Sequence, residues 1–386
     1  MKHIFFLLML SFSILGFSND NDTKYQTALD LMHRLKRVEA KELLTEIIEN
    51  NAQYGKAFYQ RALIHKYFKE YELASSDFIQ ATRSREIPKK MKKSAHYELS
   101  NIKITKKDYR GAALDLSFII KEYPEESKAY YLRGECNYLS GQYSHALADI
   151  DKALELTPNN HEYYFYRGLV NQELKKFDEG LSDFTKVIEK DPKNARAYFN
   201  RAYCQFNEGV SKEFKHHNNH LHKALADYNK TLELDPDIEE AYFDRAEIKM
   251  ELGHYIDAIA DFKKALEINP NDLEAHYLKA MCNYHYGYEG VALKEMEDIL
   301  AKDSLYADAL YQTGWMHYQT EEYEDALVEF NKLISIEKAH KDAYTFRGYT
   351  NLELGKIEKA CADFKKADEL GDPEAHHDVK KYCKEK

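Results

Sequence analysis

Pro158, Pro192 and Pro270 each close a near-copy of one short pattern, and the copies recur at a fixed interval. AYYLRGECNYLSGQYSHALADIDKALELTP ends at Pro158 and EYYFYRGLVNQELKKFDEGLSDFTKVIEKDP ends at Pro192, 34 residues later; Pro236 and Pro270 repeat that spacing. A period of this size means a row of like supersecondary units, each burying its apolar face against its neighbours rather than in a central core. The 386 residues would otherwise suggest two or three globular domains, a count the repeat overrides.

With the proline at repeat position 32, small residues recur at position 8 (Gly134, Gly168, Ala202, Ala246), position 20 (Ala146, Gly180, Ala224, Ala258) and position 27. Large ones recur at position 4 (Tyr130, Tyr164, Tyr198, Tyr242) and position 24 (Ile150, Phe184, Tyr228, Phe262). Positions 4 and 8, and again 20, 24 and 27, share one face of a helix, so each unit is a helical hairpin. Helix A ends near position 14, a turn follows (Gly141, Gly209, Gly253), and helix B runs to the proline, which cannot continue it.

This pattern resembles the tetratricopeptide repeat, W-x2-L-G-x2-Y…A-x3-F…P, at its G, A, F and P positions; Tyr, Phe or His replaces the leading Trp in most copies. The resemblance implies an all-α, right-handed α-solenoid of about ten hairpins. The frame places units at 21–54, 55–92, 93–126, 127–160, 161–194, 195–238, 239–272, 273–306, 307–340 and 341–374, with a capping helix over 375–386. The second is lengthened through PKKM, and the sixth through a His-rich insertion.

A second regularity departs from the usual repeat. Position 7 is Arg61, Arg133, Arg167, Arg201, Arg245 and Arg347, with Lys279 as a variant; position 23 is Asp77, Asp115, Asp149, Asp183, Asp227, Asp261 and Asp363. Paired in step, they suggest a structural arginine–aspartate ladder across or between hairpins.

The chain starts with Lys2 and His3, an apolar run from Ile4 to Phe17, and an abrupt polar, acidic stretch. That order marks residues 1–18 as a secretory signal peptide, giving an exported protein, periplasmic or secreted. Cys136, Cys204 and Cys282 share repeat position 10, two hairpins apart, too far to be bridged. Cys361 and Cys383 lie eleven residues either side of Asp372, where the last helix B should break. An antiparallel return brings them level, so a disulfide is expected in the oxidising compartment that export implies.

The fold itself carries no chemistry, and function must come from surfaces. In this repeat family the inner face is lined by helix A positions 2, 5, 9 and 12. Tyr203, Phe206, Tyr277, Met281, Tyr284, Tyr311, Trp315 and Tyr318 make a candidate partner-binding groove, since aromatic and Met side chains bury much area at small conformational cost. The competing reading is ordinary packing between adjacent A helices. Glu240, Glu274, Asp308 and Asp342 occupy position 2 of successive units. Residues 239–374 hold 15 basic against 30 acidic residues, a net of −15, whereas 19–126 are at +3. A nucleic acid is therefore disfavoured as partner, and a basic or apolar polypeptide favoured. The carboxylate-clamp type of groove needs Lys and Asn where this one is largely aromatic.

The insertion VSKEFKHHNNHLHK offers His216, His217, His220 and His222 as weak metal ligands, with a metal-binding protein or enzyme as the alternative function. No nucleophile elbow, phosphate loop, dinucleotide fingerprint or HExxH is present, so no enzyme and no cofactor are expected.

Overall fold

The computed structural model describes residues 20–211 and 214–383, with side chains omitted at 209–217. The expected signal peptide at 1–18 therefore lies outside the described residues. The chain divides into two compact units, one ending at Pro192 and one starting at Lys193. The first holds α1 (20–33), α2 (Arg37–Asn50), α3 (Gly55–Tyr67), α4 (Tyr71–Arg83), α5 (Lys89–Thr105), α6 (Tyr109–Glu122), α7 (Ser127–Leu139), α8 (Tyr143–Leu156), α9 (His161–Glu173) and α10 (Phe177–Lys190). The second holds α11 (Ala195–Ser211), α12 (Phe214–Leu234), α13 (Glu239–Glu251), α14 (Tyr255–Ile268), α15 (Leu273–Tyr286), α16 (Glu289–Lys302), α17 (Ala307–Gln319), α18 (Tyr323–Ile336), α19 (Lys341–Glu353), α20 (Ile357–Glu369) and α21 (Pro373–Tyr382). Odd-numbered helices are the A helices of the frame and even-numbered ones the B helices, up to the cap α21; no strand occurs among the described residues. Each helix packs on the next within its unit, as in an α-solenoid.

Two local devices make each hairpin. The turn residue at position 15 is left-handed: Gly141, Gly253, Gly287 and Gly355 have φ between 68° and 95°, and Lys69, Lys107, Lys175 and Glu321 adopt φ of 57° to 65° in the same place. Glycine does so without strain, the others at a cost of about 1 kcal/mol. Position 8 then gives the closest approach of the helices. A Cβ on Gly168 would stand 2.7 Å from Phe184 Cζ, and one on Gly348 2.6 Å from Phe364 Cε1. Phe78, Phe184, Phe262, Phe330 and Phe364, all at position 24, are fully buried.

The sixth hairpin departs from the expected turn at Gly209. Here the helix runs through Gly209 to Ser211, and its partner starts at Phe214, so the insertion lengthens both helices instead of forming a loop. PKKM similarly extends the front of α5 to 17 residues.

The arginine–aspartate ladder runs within hairpins, and its third contact runs between them. Arg133 donates Nε and Nη2 to both oxygens of Asp149 at 2.9 and 2.6 Å, while Nη1 reaches Ser117 Oγ on α6 at 2.9 Å. Arg61, Arg167, Arg245 and Arg347 repeat this on Asp77, Asp183, Asp261 and Asp363. Their Nη1 atoms reach Thr45, Asp151, Asn229 and Asn331 on the preceding B helix. The position-4 ring lies under each guanidinium, at 5.3 Å for Tyr164 and Tyr344. Position 11, absent from the sequence reading, completes the clamp: Asn137, Asn171, Gln205, Lys249 and Asn351 each donate to the same aspartate.

Cys361 and Cys383 are joined by a disulfide, Cα atoms 5.4 Å apart, which fastens the end of α21 to α20. Phe364 stacks on Tyr382 at 6.1 Å beside it. Cys136, Cys204 and Cys282 are fully buried.

Asp183→Ala is expected to cost about 2–3 kcal/mol in urea denaturation, because it strands a half-buried guanidinium. Glu329→Ala should cost under about 0.5 kcal/mol, since Glu329 takes a neighbouring lysine on its own helix rather than the clamp. Equal losses would show the clamp to be decorative. Reducing the disulfide should raise amide exchange throughout α21 while leaving α19 protected.

Candidate functional site

The second unit brings the sequence-nominated aromatics together in part. Tyr284 on α15 meets Trp315 on α17 edge to face at 5.4 Å, with Tyr277 and Met281 lying against the α15–α17 core. Tyr318 and Tyr311 instead turn toward Phe346 on α19, at 6.1 and 6.0 Å. Phe206 packs into the core of α11–α13, and Tyr203 beside it is 40 % exposed. Position 5 is chiefly a packing position: Tyr59, Phe165, Phe199 and Phe243 each rest edge-on against the position-24 ring of their own hairpin at 5.6–5.7 Å. The Tyr284–Trp315 pair is partly exposed on the α15/α17 face, as are Tyr277, Met281, Tyr311 and Tyr318.

Charge gives that face its character. Glu240, Asp244, Glu247 and Glu251 follow one another on α13 at spacings of four, three and four residues, one continuous stripe. Glu274 and Asp308 continue the acidity as exposed side chains at the starts of α15 and α17. Burial pushes the Asp244 carboxyl up to about 6, against a stabilising hydrogen bond from Tyr228 Oη at 2.8 Å. Burial, then Asp244, Glu274 and Glu251, push Glu247 up to about 7. These are carboxylates short of counter-charge.

The sequence reading missed a second site, in the first unit. A cleft of about 460 Å³ lies between α7 and α9, lined by Tyr131, Leu132, Glu135, Tyr163, Tyr166 and, at its rim, Lys128. Tyr131 stacks on Tyr163 at 4.6 Å; Tyr166 Oη donates to Glu135 at 2.8 Å, and Tyr131 Oη to Glu162 at 3.0 Å. Burial raises the Glu135 pKa as well. Tyr163 and Tyr166, at repeat positions 3 and 6, fall outside the family's groove positions, so only spatial packing reveals the cleft.

The side chains of His216 and His217 lie outside the described residues, and His222 places Nδ1 2.6 Å from the Asn218 carbonyl of its own helix. The one cluster of three or more metal-ligating side chains among the described residues is elsewhere, at His317, Glu322 and Asp325.

Comparison with known proteins gives a consistent result. Five stretches, 127–160, 184–226, 239–272, 290–339 and 341–370, match tetratricopeptide repeat families. No curated protein matches in sequence. Among solved structures, the C-terminal part of a repeat protein from Cytophaga hutchinsonii is similar with TM-score 0.50 and 18 % identity, over 65 % of this chain and 97 % of that one. A tetratricopeptide repeat protein from Parabacteroides merdae gives TM-score 0.48 and 20 % identity over 67 % and 99 %. MamA from Desulfovibrio magneticus gives 0.42 and 19 % over 47 % and 96 %. The hairpins, their packed rings and the five family matches together make the chain a multi-repeat member of the tetratricopeptide repeat family.

Proposed function

We propose that the chain is a non-enzymatic scaffold that holds a basic polypeptide segment along α13, α15 and α17, outside the cytoplasm. Repeat arrays of this family present extended surfaces to proteins and peptides, and the acidic stripe Glu240–Asp244–Glu247–Glu251 is the observation that supports a basic ligand here. Two of its carboxyls have pKa values raised by burial and, at Glu247, by neighbouring acids, so a lysine or arginine of the partner gains by ionising them. The Tyr284–Trp315 pair supplies the apolar anchor beside it. Export rests on the order of charges and apolar residues in 1–18, and a structural disulfide fits such a compartment. The alternative built on the His-rich insertion has no comparable observation behind it.

Trp315 is the only tryptophan, which makes it a reporter. A Lys/Leu-containing peptide should shift its emission on binding, with affinity falling as salt rises and falling about tenfold in Glu247→Gln. An acidic peptide of the same length should leave emission unchanged; equal responses to both would sink the reading.

The titration has its own signature. Asp244 and Glu247 bind protons more tightly folded than unfolded, so stability declines as pH rises from about 4.5 to about 7 and levels off above. Glu247→Gln should therefore stabilise by about 1 kcal/mol at pH 8, allowing for solvent screening, and by almost nothing at pH 4.5. Paired urea melts at the two pH values measure the difference.

A further inference from the structure

Four of the five hairpins in the second unit hold helix A to helix B through the position 7 to position 23 ion pair: Arg201–Asp227, Arg245–Asp261, Lys279–Glu295 and Arg347–Asp363. The ninth hairpin does not. Its position 7 is Thr313, buried with its hydroxyl unpartnered, and Glu329 at position 23 pairs with Lys332 one turn along α18. Position 11, which elsewhere donates to the position-23 acid, is His317, and it reaches instead across the turn, Nδ1 lying 2.6 Å from Glu322 Oε2. Asp325 joins them: one ligand atom from each of the three lies within 4.8 Å of the other two.

We propose that His317, Glu322 and Asp325 bind a divalent transition-metal ion of the zinc type, which ties the end of α17 to the start of α18 where the usual clamp is missing. One imidazole nitrogen and two carboxylates suit such an ion, leaving one tetrahedral position for water. Bond lengths of about 2.0–2.1 Å require ligand atoms about 3.3 Å apart. The present spread closes by rotamer changes of Glu322 and Asp325, both exposed. Residues 321–325 carry four carboxylates, and a dication relieves their mutual repulsion. Histidine at position 11 alone does not make the site. His65 in the second hairpin also meets an acid, Glu70, but there the clamp Arg61–Asp77 is intact and Leu73 occupies the place of Asp325.

The test is calorimetric titration of Zn²⁺ into the full chain, into His317→Ala, into Asp325→Asn, and into a variant with all four insertion histidines changed to Asn. Saturable binding in the wild type, weakened at least tenfold by either of the first two changes and kept in the third, is expected. Zn²⁺ should also raise the melting temperature of the wild type and not that of His317→Ala. Absence of saturable binding, wild-type affinity in Asp325→Asn, or loss of the site in the insertion variant overturns the proposal. Asp325 is exposed, so its Asn variant, checked by circular dichroism, separates loss of a ligand from loss of fold.

Discussion

Every hairpin depends on one close approach, in which a large apolar side chain from helix B, more often than not an aromatic ring, sits beneath a helix A residue too small to obstruct it. Gly168 over Phe184 and Gly348 over Phe364 leave no room for a further carbon. With the interhelical distance so fixed, the rest follows by reach. The position-5 ring of helix A can touch the position-24 ring edge-on, and a seven-atom arginine side chain at position 7 can span to the aspartate at position 23. The left-handed residue at position 15 returns the chain at the angle this seat requires, even where the residue is Lys or Glu rather than Gly.

On that frame the arginine–aspartate clamp supplies direction rather than bulk stability. Burial of a bidentate pair is energetically near neutral against apolar packing, yet removing one member is expensive. The third guanidinium nitrogen faces the preceding hairpin, so one side chain fixes both the closure of its own hairpin and the register of its neighbour. Exceptions are informative for the same reason. Where Thr313 and Glu329 interrupt the series, the position-23 acid pairs with Lys332 on its own helix, and the position-11 histidine turns to Glu322 across the turn.

The same packing explains which surface is left for a ligand. Aromatic side chains are numerous along the A helices, but the interhelical seat claims most of their area. Beside it stand carboxyls raised in pKa by burial: Asp244 and Glu247 on α13 in one unit, and Glu135 beneath its tyrosines in the other. Under the proposed function, recognition is electrostatic at first approach and aromatic at close range, a division that suits a polypeptide with alternating basic and apolar residues.

The 34-residue period, the hairpin unit, the arginine–aspartate partnership and the level placement of Cys361 and Cys383 were all legible along the chain, because each is a short-range or strictly periodic relation. Gly209 misled because a glycine marks a turn only when the flanking helices end there, and the long insertion let both continue. The clamp's third contact, the position-11 donors, the Tyr131–Tyr163–Tyr166 cleft and the His317 cluster belong to the tertiary structure. Each joins residues whose proximity depends on how far and at what angle one helix crosses another. Periodicity states that neighbours exist; only the packed distance decides which atoms of those neighbours meet.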